Sequence, residues 1–318
     1  MSSPMDRREL VKAAIDHRPT ERAPYVIDLC PEAWEQLQPM ADGKTAEEFI
    51  DNHVKDIAVP WWDWYELGSD WHGFAAPTSQ PKVLGRGSYT DLIESVKAAR
   101  DQSDKYLLVR LYGIHFEKAY FARGIENFLA DLAGEPEFAR RVLQTINDRN
   151  LVMMENFLAL AEIDGVLLGS DWGSQVGLLM APDTWEEMIA PGEQRKYELV
   201  RSYGKDVWLH SCGNIERLIP RLIEMGVQVL NPVQPEVMDL AALKRDYGDR
   251  LAFWGGISTQ RTLPYGTPDE VRQEARAVRD LMSAGGGYIF APAQSIQGDV
   301  PVANVLALLE VARERVGQ

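Results

Sequence analysis

Short apolar runs alternate with longer amphipathic stretches along the chain. The apolar runs end in Gly, Pro or polar residues, which is typical of short buried strands in a parallel sheet. We predict eight such strands, at residues 23–29, 56–62, 106–112, 164–168, 206–209, 227–230, 251–254 and 287–290.

Each predicted strand is followed by at least one stretch in which apolar residues recur every three or four positions, the period of a helix. The predicted helices span residues 6–16, 31–37, 45–51, 91–100, 116–132, 136–163, 182–203, 215–225, 239–247, 267–284 and 302–316. Eight strand–helix units predict an α/β protein in which residues 1–318 form a single (β/α)8 TIM barrel. A doubly wound open sheet is the alternative, but no Gly-x-Gly-x-x-Gly pattern follows the first strand.

The composition limits the kinds of molecule that the protein is expected to bind. The formal net charge of −15 argues against nucleic acid or an anionic membrane as the main partner, so small molecules or another protein remain. There is no run of 18 apolar residues and no secretory signal, and the two cysteines, Cys30 and Cys212, make no disulfide framework. These features predict a cytoplasmic protein. Nine tryptophans suggest a pocket for a flat aromatic ligand.

Polar side chains follow the predicted strands. In a barrel the carboxyl ends of all strands meet at one rim, where active sites are built. The residues placed there are Asp63, Asp171, His210, Cys212, Gln234, Ser258 and Gln294. The predicted site is therefore a bowl that gathers residues far apart in the sequence.

His210 and Cys212 are the strongest candidates for metal ligands. Imidazole and thiolate are preferred zinc ligands, and a His-x-Cys at a strand end can direct both side chains into the same bowl. The spacing alone is weak, because a lone His-x-Cys is often incidental. A buried structural histidine at a rim would itself need partners.

Two aspartates are candidate acid/base groups. Asp171 lies in a Gly-rich turn, where an ordinary turn or N-cap role is an equally good interpretation. Asp63 stands among Trp and Tyr residues, where desolvation would raise a carboxyl pKa unless the side chain faces solvent. Trp62, Trp172 and Gln175 are predicted to line the pocket, although clustered aromatic residues often only pack. Gln234 and Gln294 are predicted substrate contacts, with ordinary loop amides as the alternative.

Motifs in the second half of the chain resemble the uroporphyrinogen decarboxylase superfamily. They are His210-Ser211-Cys212-Gly213-Asn214, Trp254-Gly255-Gly256-Ile257-Ser258, Leu263-x-x-Gly266-Thr267-Pro268-x-x-Val271, and the run from Gly286 to Ile296. Residues 116–132 and 169–175 also look like that family. The superfamily includes cobalamin-dependent methyltransferases, and the resemblance implies a (β/α)8 barrel.

The resemblance also implies a metal site. In the methyltransferase branch His-x-Cys-Gly is a zinc motif, here His210 and Cys212, and the third ligand is a Cys whose position falls on Gln294. The decarboxylases have His at that position. Gln294 is therefore the predicted third ligand, with Gln234, Glu236, water or substrate as candidates for the fourth.

The decarboxylases themselves fit less well. Their Arg-Gln-Ala-Gly-Arg segment, which binds substrate carboxylates, has no counterpart after Leu29, and their catalytic Asp matches Asp63 only loosely. A substrate with eight carboxylates needs many cations, which a net charge of −15 does not favour.

The predicted function is a corrinoid-dependent methyltransferase assisted by zinc. It would transfer a methyl group between a small methylated or methoxylated substrate, or a thiol acceptor, and cobalamin carried by a separate corrinoid protein. Asp63, Asp171, His210 and Cys212 are the predicted catalytic residues. The alternatives are a metal-free decarboxylase or lyase acting on a small aromatic or cyclic acid, and a non-catalytic protein that docks on a corrinoid protein.

Overall fold

The computed structural model describes residues 5–60 and 88–317. Its strands are β1 (Val54–Ile57), β2 (Tyr106–Leu111), β3 (Gly165–Gly169), β4 (Gly173–Ser174), β5 (Gly177–Leu178), β6 (Asp206–His210), β7 (Val229–Val233), β8 (Ala252–Ile257) and β9 (Tyr288–Pro292). Its helices are α1 (Arg7–Ile15), α2 (Pro31–Leu37), α3 (Ala46–Ile50), α4 (Tyr89–Gln102), α5 (Phe116–Arg123), α6 (Ile125–Gly134), α7 (Pro136–Leu158), α8 (Pro182–Met188), α9 (Ala190–Ser202), α10 (Ile219–Glu224), α11 (Leu240–Tyr247), α12 (Thr262–Tyr265), α13 (Pro268–Ser283) and α14 (Val302–Ala312).

The strands confirm an α/β protein built on a parallel sheet. Within residues 5–60 and 88–317, seven strands form a sheet in the order β1-β2-β3-β6-β7-β8-β9, and β4 and β5 form a separate antiparallel pair. The pairs β2–β3, β3–β6, β7–β8 and β8–β9 are parallel. The closed eight-stranded barrel stays a prediction.

Two compact units divide the chain. Unit 1 comprises residues 1–55, 104–106 and 228–318, and unit 2 comprises residues 56–103 and 107–227. The single domain over residues 1–318 also stays a prediction.

In unit 1, the paired strands β7, β8 and β9 are buried at every position. Such continuous burial is typical of parallel strands covered on both faces. Helix α13 begins with a capping box in which the Thr267 hydroxyl accepts from Glu270 N–H, and the Glu270 carboxylate accepts from Thr267 N–H.

The first predicted strand, residues 23–29, is not a regular strand in unit 1. It makes two isolated parallel bridges, one from Tyr25 to Phe290 in β9 and one from Leu29 to Ile296 in the segment after β9. On its other side the partners are residues 52 and 53: His53 N–H donates to Tyr25 O, Asn52 Oδ1 accepts from Ile27 N–H, and His53 Nδ1 accepts from Tyr25 N–H. The apolar pattern was correct, but side chains supply part of the hydrogen bonding that a neighbouring strand would give.

The second predicted strand, residues 56–62, is shorter and begins earlier, as β1. Residues 58–60 have no regular structure, and 61–62 lie outside the described residues.

Two predicted helices are each broken in two. The helix predicted at 116–132 becomes α5 and α6, which meet at Gly124 with a φ of 87°. The helix predicted at 182–203 becomes α8 and α9, and Pro191 lies in the first turn of α9. Proline has no N–H to continue the preceding helix, so a new helix starts there.

In unit 2, β3 and the centre of β6 are buried and carry apolar side chains, and polar residues begin where these strands end. The sequence pattern therefore places a site at the carboxyl ends of two neighbouring strands. Among the described residues, no helix is long and apolar enough to span a membrane.

Candidate metal centre

The candidate metal centre lies where β3 and β6 of unit 2 end. The two strands pair in parallel, and Gly169 is in register with His210. Asp171 follows β3 by two residues and Cys212 follows β6 by two residues. Because parallel neighbours end at the same edge of a sheet, the three side chains meet there, as the sequence predicted for the rim.

The donor atoms are within ligand distance of one another. His210 Nε2 lies 3.4 Å from Cys212 Sγ and 3.6 Å from Asp171 Oδ1, and one donor atom from each residue falls within a 4.8 Å cluster. The side chain of His210 is 12% exposed and that of Asp171 is 31% exposed. The cluster is thus partly shielded from water and still open on one side.

These residues fit a zinc ion. Zinc bonds of about 2.0 to 2.3 Å at tetrahedral angles put neighbouring donor atoms roughly 3.3 to 3.6 Å apart. The distances from His210 Nε2 agree with that geometry. A set of one nitrogen, one sulfur and one oxygen ligand leaves a fourth position for a substrate or water, the pattern of a catalytic site rather than a structural one.

Hydrogen bonds tie the loop after β3 to the loop after β6. Asp171 Oδ1 accepts from Cys212 N–H at 2.8 Å, and Ser211 Oγ accepts from Trp172 N–H at 3.1 Å. The main chain adds bonds from Ser170 N–H to His210 O and from Asn214 N–H to Ser174 O. These hydrogen bonds fix the relative positions of the two loops that carry the candidate ligands Asp171 and Cys212.

Two glycines allow the loops to approach so closely. A Cβ on Gly173 would lie 2.6 Å from Cys212 O, and a Cβ on Gly213 would lie 2.5 Å from the carbonyl carbon of Gly173. Gly213 also has a φ of +79°, which side chains disfavour. The glycine after Cys212 is needed for this contact.

A third carboxylate, Glu117 on α5, lies beside the cluster and was missed by the sequence analysis. Burial and the nearby Asp171 carboxylate raise the pKa of Glu117 to about 7, although backbone N–H groups of Asp171 and Gly113 oppose that shift. The Tyr120 hydroxyl donates to Glu117 Oε1 at 3.4 Å. In the sequence, an acidic residue in the first turn of a helix is too common to stand out.

Aromatic side chains also border the site. The ring of Tyr112 meets the ring of His210 edge-on, with centroids 4.9 Å apart. Burial and the charges of Glu117 and Asp171 raise the pKa of Tyr120, so its hydroxyl stays protonated.

The predicted pocket residues of unit 2 have different surroundings. Trp172 is fully buried and packs edge-on against Trp185, with centroids 5.3 Å apart. Gln175 is exposed in the turn between β4 and β5. The roles of both in substrate binding stay predictions.

The predicted amides belong to unit 1. Gln234 is 4% exposed and follows β7. Its main-chain carbonyl accepts from Val237 N–H and Met238 N–H in a turn. Gln294 is exposed and follows β9. Their predicted substrate contacts, and the predicted metal contact of Gln294, are not tested by the geometry of unit 2. Asp63 and Trp62 lie outside the described residues.

Sequence comparisons agree with the motifs. Residues 81–315 match the family model of uroporphyrinogen decarboxylase (URO-D). A methylcobamide:CoM methyltransferase MtaA from Methanosarcina barkeri is 29% identical over 136 residues, 43% of this chain and 38% of that protein. A uroporphyrinogen decarboxylase from Chlorobium phaeobacteroides is 24% identical over 189 residues, 57% of this chain and 50% of that protein. The matches thus span half or less of these relatives.

A solved structure agrees with the fold. A methyltransferase from Methanosarcina mazei superposes with a TM-score of 0.69 at 17% identity, covering 97% of this chain and 98% of that one. At this identity the likeness concerns the fold. Membership of the family rests instead on the family model, which matches most of the chain. The resemblance to the superfamily and to its cobalamin methyltransferase-like branch is confirmed. This chain belongs to the uroporphyrinogen decarboxylase (URO-D) family.

Proposed function

We propose that this protein is a corrinoid-dependent methyltransferase whose reaction is assisted by zinc held by Asp171, His210 and Cys212. The observation that carries the proposal is the cluster of one oxygen, one nitrogen and one sulfur donor within 4.8 Å. The name of the Methanosarcina barkeri relative, a methylcobamide:CoM methyltransferase, supports this kind of reaction.

Asp171 takes the place of a third ligand in this proposal. The sequence predicted Gln294 there, and an amide oxygen is a weaker zinc ligand than a carboxylate. Gln294 and Gln234 remain predicted contacts to the substrate or the metal.

The residues of the site have separable roles. Bound zinc supplies a positive charge that favours the thiolate form of a thiol acceptor, or stabilises an oxygen leaving group. Cys212 and His210 would hold the metal, and the Tyr112 ring packs edge-on against the imidazole. Asp171 orients the loop of Cys212 through the Cys212 N–H.

The partner in this proposal is a separate corrinoid protein that carries cobalamin, and the second substrate is a small molecule that is a methyl donor or a thiol. Both follow from the reaction class and the relative's name rather than from a contact in unit 2.

Metal content and methyl transfer test the proposal together. Protein purified without chelator is expected to hold about one equivalent of zinc and to methylate a thiol, with 2-mercaptoethanesulfonate as the probe and methylcobalamin as the donor. Cys212→Ser and His210→Ala should lose most of both. Cys30→Ser is the matched control, because that thiol caps α2 in unit 1. Less than about a tenth of an equivalent of zinc, with His210→Ala as active as the wild type, would overturn the zinc mechanism.

A metal-free decarboxylase is the second candidate. The Chlorobium phaeobacteroides relative supports it, and the partly exposed Asp171 carboxylate is placed to hold a proton near a substrate. Release of carbon dioxide from a small aromatic or cyclic acid, unchanged by a chelator and without any corrinoid, would favour this function over methyl transfer.

A further inference from the structure

The candidate metal centre of unit 2 is formed by segments that carry acidic side chains. The segments that follow its strands are residues 112–117 after β2, residues 170–181 after β3 and residues 211–216 after β6. Together they contain the carboxylates Glu117, Asp171 and Glu216, and they contain no lysine or arginine. A substrate that approaches the cluster in unit 2 therefore meets negative charge from these segments.

Glu117 lies beside the donor cluster without belonging to it. Its carboxylate accepts from Asp171 N–H and Gly113 N–H, and the Tyr120 hydroxyl donates to its Oε1 at 3.4 Å. Its side chain is half-buried. Because it accepts from the main chain of Asp171, it lies within one residue's length of the Asp171 side chain. Glu117 is therefore close enough to act on a molecule bound at the cluster.

A second position beside the cluster reports the same sign of charge. Burial, and then the charges of Glu117, Asp171 and Cys212, raise the pKa of Tyr120. The charges that act on this hydroxyl are thus negative. Lys118 follows Glu117 in the chain, but it is 2% exposed, so its ammonium is not open to a ligand in solution.

A bound zinc ion would not reverse this balance. Its positive charge is matched by the Asp171 carboxylate and the Cys212 thiolate, so a substrate thiolate makes the centre negative again. The Glu117 carboxylate adds to that negative charge. An anionic group elsewhere on the substrate would be repelled, whereas a cationic group would be attracted.

We propose that the small thiol that accepts the methyl group carries a positive charge at its far end, and that this charge binds Glu117. The inference rests on the proposed function and names the substrate class of the same site. In the transfer, the thiolate sulfur forms a bond to the methyl carbon, and the cobalt–carbon bond of the partner's cobalamin breaks with its electron pair left on cobalt. The thiol proton goes to solvent.

A short aminothiol is long enough to span the site. A two-carbon arm puts its ammonium about 4 Å from its sulfur, and a hydrogen bond to a carboxylate adds about 2.9 Å. The sulfur can then lie at the open position of the donor cluster while the ammonium donates to Glu117. Glu117 is in this way a residue that determines specificity.

Three thiols with the same two-carbon arm test the proposal. 2-Aminoethanethiol ends in an ammonium, 2-mercaptoethanol in a neutral hydroxyl and 2-mercaptoethanesulfonate in a sulfonate. With zinc-loaded protein and methylcobalamin at pH 8, kcat/KM should be at least about tenfold higher for the aminothiol than for the sulfonate, with the alcohol between them. Calorimetry with the three corresponding methyl thioethers, which have no thiol to remove zinc, should give affinities in the same order.

Variants at two glutamates provide the matched pair. Glu117→Gln keeps an oxygen for the N–H groups of Asp171 and Gly113 and removes the charge. The ratio of kcat/KM for the aminothiol to that for the sulfonate should fall at least about fivefold. Intrinsic differences between the thiols cancel when this ratio is compared with the wild type. Glu126→Gln removes the same charge at an exposed position in the first turn of α6, and the ratio should stay within about twofold.

Two results would overturn this inference alone. They are methylation of the sulfonate at least as fast as the aminothiol by the wild type, and an unchanged ratio in folded Glu117→Gln. If that variant does not fold, as judged by circular dichroism, the wild-type preference must weaken as sodium chloride is added, because salt screens attraction between charges. Methylation of none of the three thiols would overturn the proposed function and this inference together.

Discussion

Asp171 lies at the candidate metal centre, where it is a candidate carboxylate ligand and its side chain also holds the loop after β6. Its Oδ1 accepts from Cys212 N–H and faces His210 Nε2. Glu117, on α5, accepts from the Asp171 N–H instead, so it positions the Asp171 loop. At the scale of single residues, the two carboxylates therefore differ: Asp171 is partly exposed, whereas Glu117 is held by backbone N–H groups.

Replacing the charge of Asp171 separates its two roles. Asp171→Asn keeps an oxygen for the Cys212 N–H but removes the anionic ligand, so we expect zinc affinity to fall at least about tenfold with little change in melting temperature. Competition with a chromogenic chelator measures the affinity. Asp183→Asn on α8 is the control, since that side chain lies at an exposed helix start. Zinc affinity unchanged in Asp171→Asn would exclude this residue as a ligand.

The lowered pKa of His53 should make the free energy of unfolding depend on pH. Burial, with Arg7 and Lys105 nearby, lowers its pKa to about 4 against the opposing charge of Asp104. Its neutral Nδ1 accepts from Tyr25 N–H. Because the unfolded histidine titrates near 6.5 and the folded one near 4, the stabilisation is complete above pH 6.5 and is lost as the pH falls towards 4.

His53→Asn should remove this dependence, because an amide oxygen accepts the same hydrogen bond at every pH. Urea unfolding at pH 7 and at pH 5 measures it. The wild type should lose up to about 2 kcal/mol more than the variant between these values, since one pKa unit corresponds to about 1.4 kcal/mol. Equal losses in the two proteins would contradict the assignment.

At the scale of elements, the β4–β5 pair packs against the loop after β6 that carries Cys212 of the candidate metal centre. Gly173 begins this pair, and its neighbour Ser174 accepts from Asn214 N–H in the loop after β6. The contact depends on backbone packing against backbone, where no side chain can move aside. Adding even one carbon atom at Gly173 should therefore disturb this contact.

Gly173→Ala is expected to disrupt that contact. The new Cβ would lie 2.6 Å from Cys212 O, so the loops must separate, at a cost of about 1–3 kcal/mol of stability together with weaker zinc binding. Gly134→Ala at the end of α6 is the control, because its Cβ would have no atom within 4 Å. Denaturant unfolding and zinc titration measure the stability and zinc affinity of both variants. Equal losses in Gly173→Ala and Gly134→Ala would show that the close approach of the loops is unimportant.

At the scale of the whole molecule, a bound metal links folding to function. Asp171 is 41 residues from Cys212 in the chain, so an unfolded chain does not hold the three donors of the cluster together. Any zinc that binds the cluster must therefore stabilise the folded protein.

Zinc should raise the free energy of unfolding by about 2.7 kcal/mol when free zinc is a hundred times its Kd. Differential scanning fluorimetry with and without zinc would show this as a higher melting temperature. The shift should vanish in Cys212→Ser and persist in Cys30→Ser. A shift of equal size in both variants would indicate binding elsewhere.

Some elements were predicted correctly from the sequence and others were not. Helix α2 was predicted with its observed bounds, because Pro31 at its start and its apolar spacing are local signals. The strand at residues 23–29 was misjudged because its neighbours include side chains of Asn52 and His53, which no local pattern specifies. The hairpin of β4 and β5 was missed because it is two residues long on each side.

The sequence by itself determined the α/β class, the family, and the candidates Asp171, His210 and Cys212, because hydrophobic periodicity and the His-x-Cys-Gly motif are properties of neighbouring residues. Only the tertiary structure brought Asp171 to within 3.6 Å of His210 and added Glu117 beside it. Those contacts join residues far apart in the chain, and their distances depend on how strands and helices pack.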